Sequence, residues 1–370
     1  MTTPTIIHAM NTVFGKADQY GVRSRYICAF AEANHRIEVF SRGIAKGEDG
    51  TIAHVVRLPL RYQALRYSMA ILRQKPIQRR SIWRGFDARL CRTFRDLDIT
   101  DAKMLHTWEW IPETIAFLKE RNPGLKIVRD VVVNRYNEFY SGTPITEEEP
   151  LTDLFISPST YSTKCLLDWG IPADKIVEIP FGVDTNRFRP DVSNKTGPIR
   201  FAFSGGVSRR KGIDSLLRVW KRLGLVNAEL HLYGRVRTDV ARDLKGTDNV
   251  VCHGHVPLSE ELPKNHVFVF PSRLEGSAKS VYEALACGLP VITTPNSGSV
   301  VRHGIDGLIV DCDDDDGLMQ AMIRLYRDEK LRIEYGSNAR ARAEKYTWER
   351  YARSVWETYD RIVPGHGLIQ

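Results

Sequence analysis

PSRLEGSAKSVYEALACGLPVITTP, residues 271–295, decides how this chain is read. An apolar run closes at Ser272, a short loop carries Glu275 and Gly276, and helical periodicity begins near Ser277. PVITTP (290–295) then reads as the next strand. Strand, helix and strand in so short a span make a parallel βαβ unit. Glu283 follows Glu275 by eight residues, about two turns along the helix. The helix start between them offers backbone N–H groups and the positive end of a dipole, which suit a diphosphate. One carboxylate could accept hydrogen bonds from sugar hydroxyls and the other from ribose hydroxyls. Solvated glutamates on a capped amphipathic helix would account for either acid alone, but poorly for the whole string.

The alternation continues in both directions. Towards the N-terminus, strands are expected at 5–10, 36–41, 54–60, 102–108, 126–133 and 154–159, with helices near 22–34, 61–74, 111–121 and 159–169. IPFGVDTNRFRPDVSNKTGP (179–198) has little periodicity and reads as a linker. Beyond it, strands are expected at 199–206, 228–234, 249–256, 266–272, 290–295 and 307–311. Helices are expected near 211–223, 236–246, 277–287, 314–327, 329–345 and 347–362. The fold class is therefore α/β, two facing Rossmann-like domains with parallel sheets and a ligand cleft between their carboxyl-end loops. The expected divisions are 1–188, 189–346, and a last helix, 347–370, that crosses back to the first domain.

Composition agrees. At 370 residues the chain has room for two cores, and 42% hydrophobic with 26% charged residues is ordinary for a globular protein. No apolar run is long enough to cross a bilayer. MTTPTIIHAMNTVFG lacks a basic n-region and reads as a strand rather than a signal peptide. The six cysteines stand far apart with no CxxC spacing, so reduced thiols in a cytosolic protein are expected. The net charge of +8 is concentrated: residues 57–95 hold eleven arginines and lysines against Asp87 alone. Such a patch suits an anionic partner.

A second motif is FSGGVSRRKGIDSLL (203–217). A strand ends in Gly205-Gly206; Arg209, Arg210 and Lys211 follow, and Gly212 opens a helix. Glycines permit close backbone approach to a ligand, and the cations could neutralise a diphosphate. Gly21, after the first strand, is a weaker signal of the same kind.

Taken together, these stretches resemble the retaining nucleotide-sugar glycosyltransferases of family 4, also called glycosyl transferases group 1, which have the GT-B fold. Their E-x7-E motif appears as Glu275 to Glu283, and their strand-loop-Lys-Gly motif as Gly205 to Lys211-Gly212. IPFGVDTNRF (179–188) matches their linker hallmark, and PVITTPNSGSVVRHGIDGLIVDCDD (290–314) their following strand-and-loop block. The resemblance is dense in the C-terminal half and thin over 1–180. It implies that Glu275 contacts the donor sugar and Glu283 the ribose. The amides of Gly276, Ser277, Ala278, Lys279 and Ser280 would lie near sugar and phosphates. Lys211 would stabilise the leaving diphosphate, and Gly21 would admit the N-terminal loop. Many members have an arginine where this chain has Gly206; Arg209 or Arg210 would supply that charge. His106, in MLHTWEW (104–110), stands near the position of the family's N-domain histidine, although in some members that residue falls where this chain has Trp108.

The implied chemistry is retaining hexosyl transfer from a nucleotide-diphosphate sugar to a glycan, lipid-linked or other anionic acceptor. This suits bacterial cell-surface polysaccharide or glycolipid synthesis. A sugar-nucleotide epimerase of the same fold and a non-catalytic sugar-nucleotide-binding protein remain as alternatives. No cofactor and no metal are expected, because DCDDDDGL (311–318) reads as a capped helix start. The basic segment 57–95, with Tyr62, Tyr67, Trp83, Phe86 and Phe94 among its arginines, is a candidate surface for an anionic membrane. A solvated face over a core-facing stripe is its plainer reading. Nucleic acid is not expected, since no nucleic-acid motif accompanies the charge. The expected location is the cytoplasm, with peripheral contact to the inner face of the membrane.

Overall fold

A computed structural model describes residues 5–9, 13–14, 19–29, 36–41, 43–44, 53–55, 76–98, 100–109, 111–131, 149–191 and 197–363. By packing, the chain divides into two units. The first comprises Met1–Ser157, Thr163–Ile179 and Ala352–Gln370; the second comprises Pro158–Ser162 and Pro180–Tyr351. The division thus falls between Ile179 and Pro180 rather than at 188, and inside the last helix rather than at 347.

In the first unit the main strands are β1 (Thr5–Ala9), β2 (Arg36–Ser41), β3 (Ala53–Val55), β4 (Ala102–Thr107), β5 (Lys126–Asp130), β6 (Leu154–Ser157) and β7 (Ile176–Glu178). They form one parallel sheet in the order 3-2-1-4-5-6-7. Val13–Phe14 and Gly43–Ile44 pair separately from it. In the second unit β8 (Ile199–Ser204), β9 (Ala228–Tyr233), β10 (Val250–Gly254), β11 (Val267–Phe270), β12 (Val291–Thr293) and β13 (Gly307–Ile309) repeat the plan. Counted within that sheet, the order is again 3-2-1-4-5-6, all parallel. Sheets covered on both faces need apolar residues at successive positions. VFVF of β11 is fully buried, as are all four residues of β6.

Helices connect these strands: α1 (Gln19–Ala29), α2 (Pro76–Arg95), α3 (Pro112–Arg121) and α4 (Thr160–Asp168), then α5 (Ile213–Leu223), α6 (Leu258–Glu261), α7 (Lys279–Ala286), α8 (Asp315–Arg327), α9 (Glu329–Ala343) and α10 (Trp348–Ile362). Gly21 lies inside α1, in its first turn, rather than in a loop ahead of it. The expected helix at 61–74 lies outside the described residues.

Two elements depart from expectation. The helix expected at 236–246 is a chain of turns closed by i→i−3 bonds, as in Val240 N–H to Arg237 O and Asp243 N–H to Val240 O. Basic side chains take carbonyls that a helix would use. Arg209 Nε donates to Asp239 O, and Lys221 Nζ donates to Asp243 O. The second departure is α2, which the sequence reading misses although it is the longest helix among the described residues, at 20 residues. Its inner stripe of Phe86, Leu90 and Phe94 is fully buried in one core with Ile7, Phe40 and Ile115. Phe86 and Phe94 are therefore core residues and not headgroup anchors. Asp87, the lone acid of the basic segment, is also buried and accepts the Glu113 and Thr114 N–H groups at the start of α3, both at 2.9 Å. It caps that helix from outside, because α3 has no side-chain cap of its own.

Candidate donor site

The second unit gathers the two motifs of the sequence at the carboxyl ends of β8 and β11. After β8, Gly205 takes a positive φ, and a single turn, Arg209–Lys211, leads to Gly212. Gly212 has φ +70°, and a Cβ there would collide with the Pro271 carbonyl oxygen. Only glycine lets the two loops pass this closely. Lys211 reaches the other loop, with Nζ 2.8 Å from Glu275 Oε1 and 4.8 Å from the Phe270 ring centre. Arg210 Nη1 stands 2.9 Å from the same carboxylate and also donates to Leu274 O. Glu275 is 8% exposed. Burial works against its ionisation, but Lys211 and then Arg210 outweigh it and hold the carboxyl below its usual range.

Arg209 points elsewhere, to Asp214 and Asp243. Between the two candidate arginines, Arg210 is therefore the one beside Glu275. Gly206 has open space where a side chain would be.

The start of α7 has no side-chain cap. Glu275 N–H and Ala278 N–H are bonded to Asn296 O and Ser297 O. The N–H groups of Gly276, Ser277, Lys279 and Ser280 meet no acceptor among the described residues. The first N–H groups of a helix have no partner within it, and a cluster of them fits an anion or hydroxyl acceptor. Glu283 is buried one turn further on, with Lys279 Nζ at 3.5 Å. Burial raises its carboxyl above the usual range, offset in part by Lys279 and Arg187. The two glutamates are thus driven in opposite directions, one paired and ionised, one poorly solvated.

The frame around this site is not visible in the two motifs. Arg273 bridges Asp214, at 2.6 Å, and Asp313, and donates to Arg209 O. Ser159 and Ser162 donate to the Gly276 carbonyl. A Cβ on Gly182 would collide with the Trp348 backbone nitrogen, so the linker hallmark is glycine where it crosses the start of α10. The acidic run also belongs to the frame. Asp315 pairs with Arg218, Asp316 with Arg222, Asp313 with Arg273, and Asp314 caps α8.

His106 lies in the first unit and is fully buried. Its ring stacks on Trp108, Nδ1 is 2.5 Å from the Tyr359 hydroxyl, and Nε2 is 4.0 Å from Asp130 Oδ2. Burial, then Arg23, lowers its affinity for a proton.

Residues 198–328, which include both motifs, match the family model described as glycosyl transferases group 1. This part of the chain is a glycosyl transferases group 1 domain. Outside it the likeness thins. A D-inositol 3-phosphate glycosyltransferase of Paenarthrobacter aurescens is 28% identical over 221 residues, 53% of this chain and 54% of the relative. The capsular polysaccharide biosynthesis glycosyltransferase CapM of Staphylococcus aureus is 33% identical over 173 residues, 43% of this chain and 44% of CapM. The chain thus spans about half the length of the curated relatives it matches. In three dimensions the likeness is longer. Anabaena HepE, solved with UDP-glucose, superposes with a TM-score of 0.73 over 97% of this chain and all of HepE, at 14% identity. At that identity the likeness is one of fold, and the matched residues 198–328 supply the second of the two parallel sheets.

Proposed function

We propose that the protein is a retaining hexosyltransferase that takes its sugar from a nucleotide-diphosphate donor. The observation that carries this reading is the buried Glu275 carboxylate held by Lys211 and Arg210 beside the uncapped start of α7. In the proposed complex the diphosphate lies against Lys211, Arg210 and the amides of that start. Charge grows on the diphosphate as the sugar departs, so fixed cations stabilise the transition state more than the ground state. Glu275, released by one of its cations, meets the sugar hydroxyls, and Glu283 meets the ribose. His106 is proposed as the N-domain histidine on the resemblance; its ring is buried, with Nδ1 2.5 Å from the Tyr359 hydroxyl. The residues named hold the leaving group themselves, and neither a metal nor a cofactor enters the proposal.

The acceptor is proposed to be a glycan, lipid-linked or otherwise anionic molecule of cell-surface polysaccharide or glycolipid synthesis. Support comes from the names of the two relatives and from the excess positive charge of residues 57–95. We place the work in the cytoplasm, on or near an anionic membrane face. No helix among the described residues is long and apolar enough to cross a membrane.

The test is a panel of UDP-, GDP- and ADP-hexoses, read by thermal shift and by NMR of the products. A donor should raise Tm by mass action and be hydrolysed or transferred with its anomeric configuration kept, in the presence of chelator. An inverted product, an epimerised sugar nucleotide, or binding with no turnover overturns the assignment.

A further inference from the structure

The loop that carries Glu275 is held from behind. Ser159 precedes α4, and its Oγ accepts the N–H of Ser162 at 3.1 Å. This is an N-cap bond, satisfying one of the helix's orphan donors. It uses a lone pair of the hydroxyl and leaves the proton to be given elsewhere. That proton goes to the Gly276 carbonyl at 2.6 Å, and Ser162 Oγ donates to the same oxygen at 2.9 Å. Both serines are buried, and segment 158–162 belongs to the same unit as the loop. One carbonyl thus receives two hydroxyls, filling both of its lone pairs.

The fit is tight. Gly298, at φ +59°, has no room for a side chain: a Cβ there would collide with Gly276 O and lie 2.7 Å from Ser159 Oγ. Glu275 N–H and Ala278 N–H, bonded to Asn296 O and Ser297 O, fix the loop on either side. The orientation of the Gly276–Ser277 peptide is then set by the serines. In a trans peptide the C=O and N–H point in opposite directions. A carbonyl drawn to Ser159 and Ser162 turns the Ser277 N–H away from them, and that N–H has no acceptor among the described residues.

We propose that Ser159 and Ser162 are positioning residues of the donor site, aiming the Ser277 amide at the donor by holding the carbonyl on the other side of the same peptide. This rests on the donor-site reading above. Neither serine touches substrate in the proposal; both act through the peptide.

The experiment uses the full chain with Ser159→Gly, Ser162→Ala and Ser159→Thr. Glycine is a tolerable N-cap without a hydroxyl, whereas threonine keeps both cap and hydroxyl. Hydrogen exchange of the 274–282 segment is measured first, without ligand. Exchange at Glu275 and Ala278 should quicken by about tenfold in Ser159→Gly and Ser162→Ala and stay unchanged in Ser159→Thr. UDP and GDP are then titrated. Whichever binds the wild type should bind about tenfold more weakly to the first two variants and within about twofold to Ser159→Thr. Unchanged loop exchange in both hydroxyl-free variants overturns the clamp. Quickened exchange with undiminished nucleotide binding overturns its role in positioning. If the wild type binds neither nucleotide, the donor reading has failed and this proposal falls with it, whereas binding by the wild type with no difference among the variants removes the clamp alone.

Discussion

Glu275 and Glu283 stand in opposite environments, and their substitution should act on stability in opposite ways. Glu283 holds its proton more tightly folded than unfolded, so it subtracts stability as pH rises above the ordinary carboxyl range. Glu283→Gln should therefore raise Tm at neutral pH while weakening nucleotide binding by about 1.5–3 kcal/mol, one charged hydrogen bond. Calorimetric melting and nucleotide titration of the same variant check both halves. Glu275 has the reverse sign: its folded carboxyl titrates below the usual range, so its stability is present at neutral pH and lost as pH falls through the folded value. Glu275→Gln should lower Tm at pH 7, with a smaller effect in acid, and should lower kcat more than donor affinity. Lys211→Ala should likewise lower kcat most, because Lys211 faces the charge that grows on the leaving group. Equal effects on kcat and on donor binding would count against that role. The pairing of these glutamates is legible in the sequence because the motif is local. Ser159 and Ser162 are not, since they reach Gly276 from more than a hundred residues away in sequence.

At the scale of elements, α3 depends on a carboxylate from another helix. Burial pushes Asp87 to about 6, against the hydrogen bonds from Thr114 and Glu113. Between its ordinary 3.8 and about 6 the folded protein keeps a proton that the unfolded chain releases, so this group's contribution falls as pH rises through that window. Asp87→Asn should flatten the corresponding part of the stability–pH curve, and Asp87→Ala should cost about 1–2 kcal/mol as a lost helix cap. Urea melts from pH 4 to 7 compare the slopes; parallel wild-type and Asn curves would remove Asp87 as their cause. Helix α2 is written in the sequence, as Phe86, Leu90 and Phe94 at a spacing of four. Its arginines draw attention to the surface and away from that stripe. The missing helix at 236–246 cannot be foreseen locally, because its carbonyls are claimed by Arg209 and Lys221 from earlier in the chain.

The whole molecule is legible as two parallel α/β sheets because buried strands announce themselves as apolar runs between turn signals. The division of the chain is less so, since packing and not composition sets it. Charge also acts at this scale. If the basic segment 57–95 meets an anionic surface, Arg79→Gln, Arg80→Gln and Arg84→Gln combined should reduce pelleting with anionic vesicles and leave donor hydrolysis unchanged. Binding should fade at high salt, as the screening length shrinks to about 3 Å at 1 M. Equal pelleting with neutral and anionic vesicles would exclude this use of the patch.

The path of the chain also bears on its synthesis. Unit one contains the first strands and the Ala352–Gln370 segment, while Pro180–Tyr351 belongs to unit two. Trp356 and Tyr359 are fully buried, and Trp356 donates to Ile27 O while the Tyr359 hydroxyl meets His8 and His106. On the ribosome, every strand of the second sheet is made before these two aromatics exist. The half of the protein that is begun first is therefore the half that is finished last, and its early strands must wait, with part of their core uncovered, while the later domain is translated. At about 5–20 residues per second that wait lasts on the order of ten seconds or more.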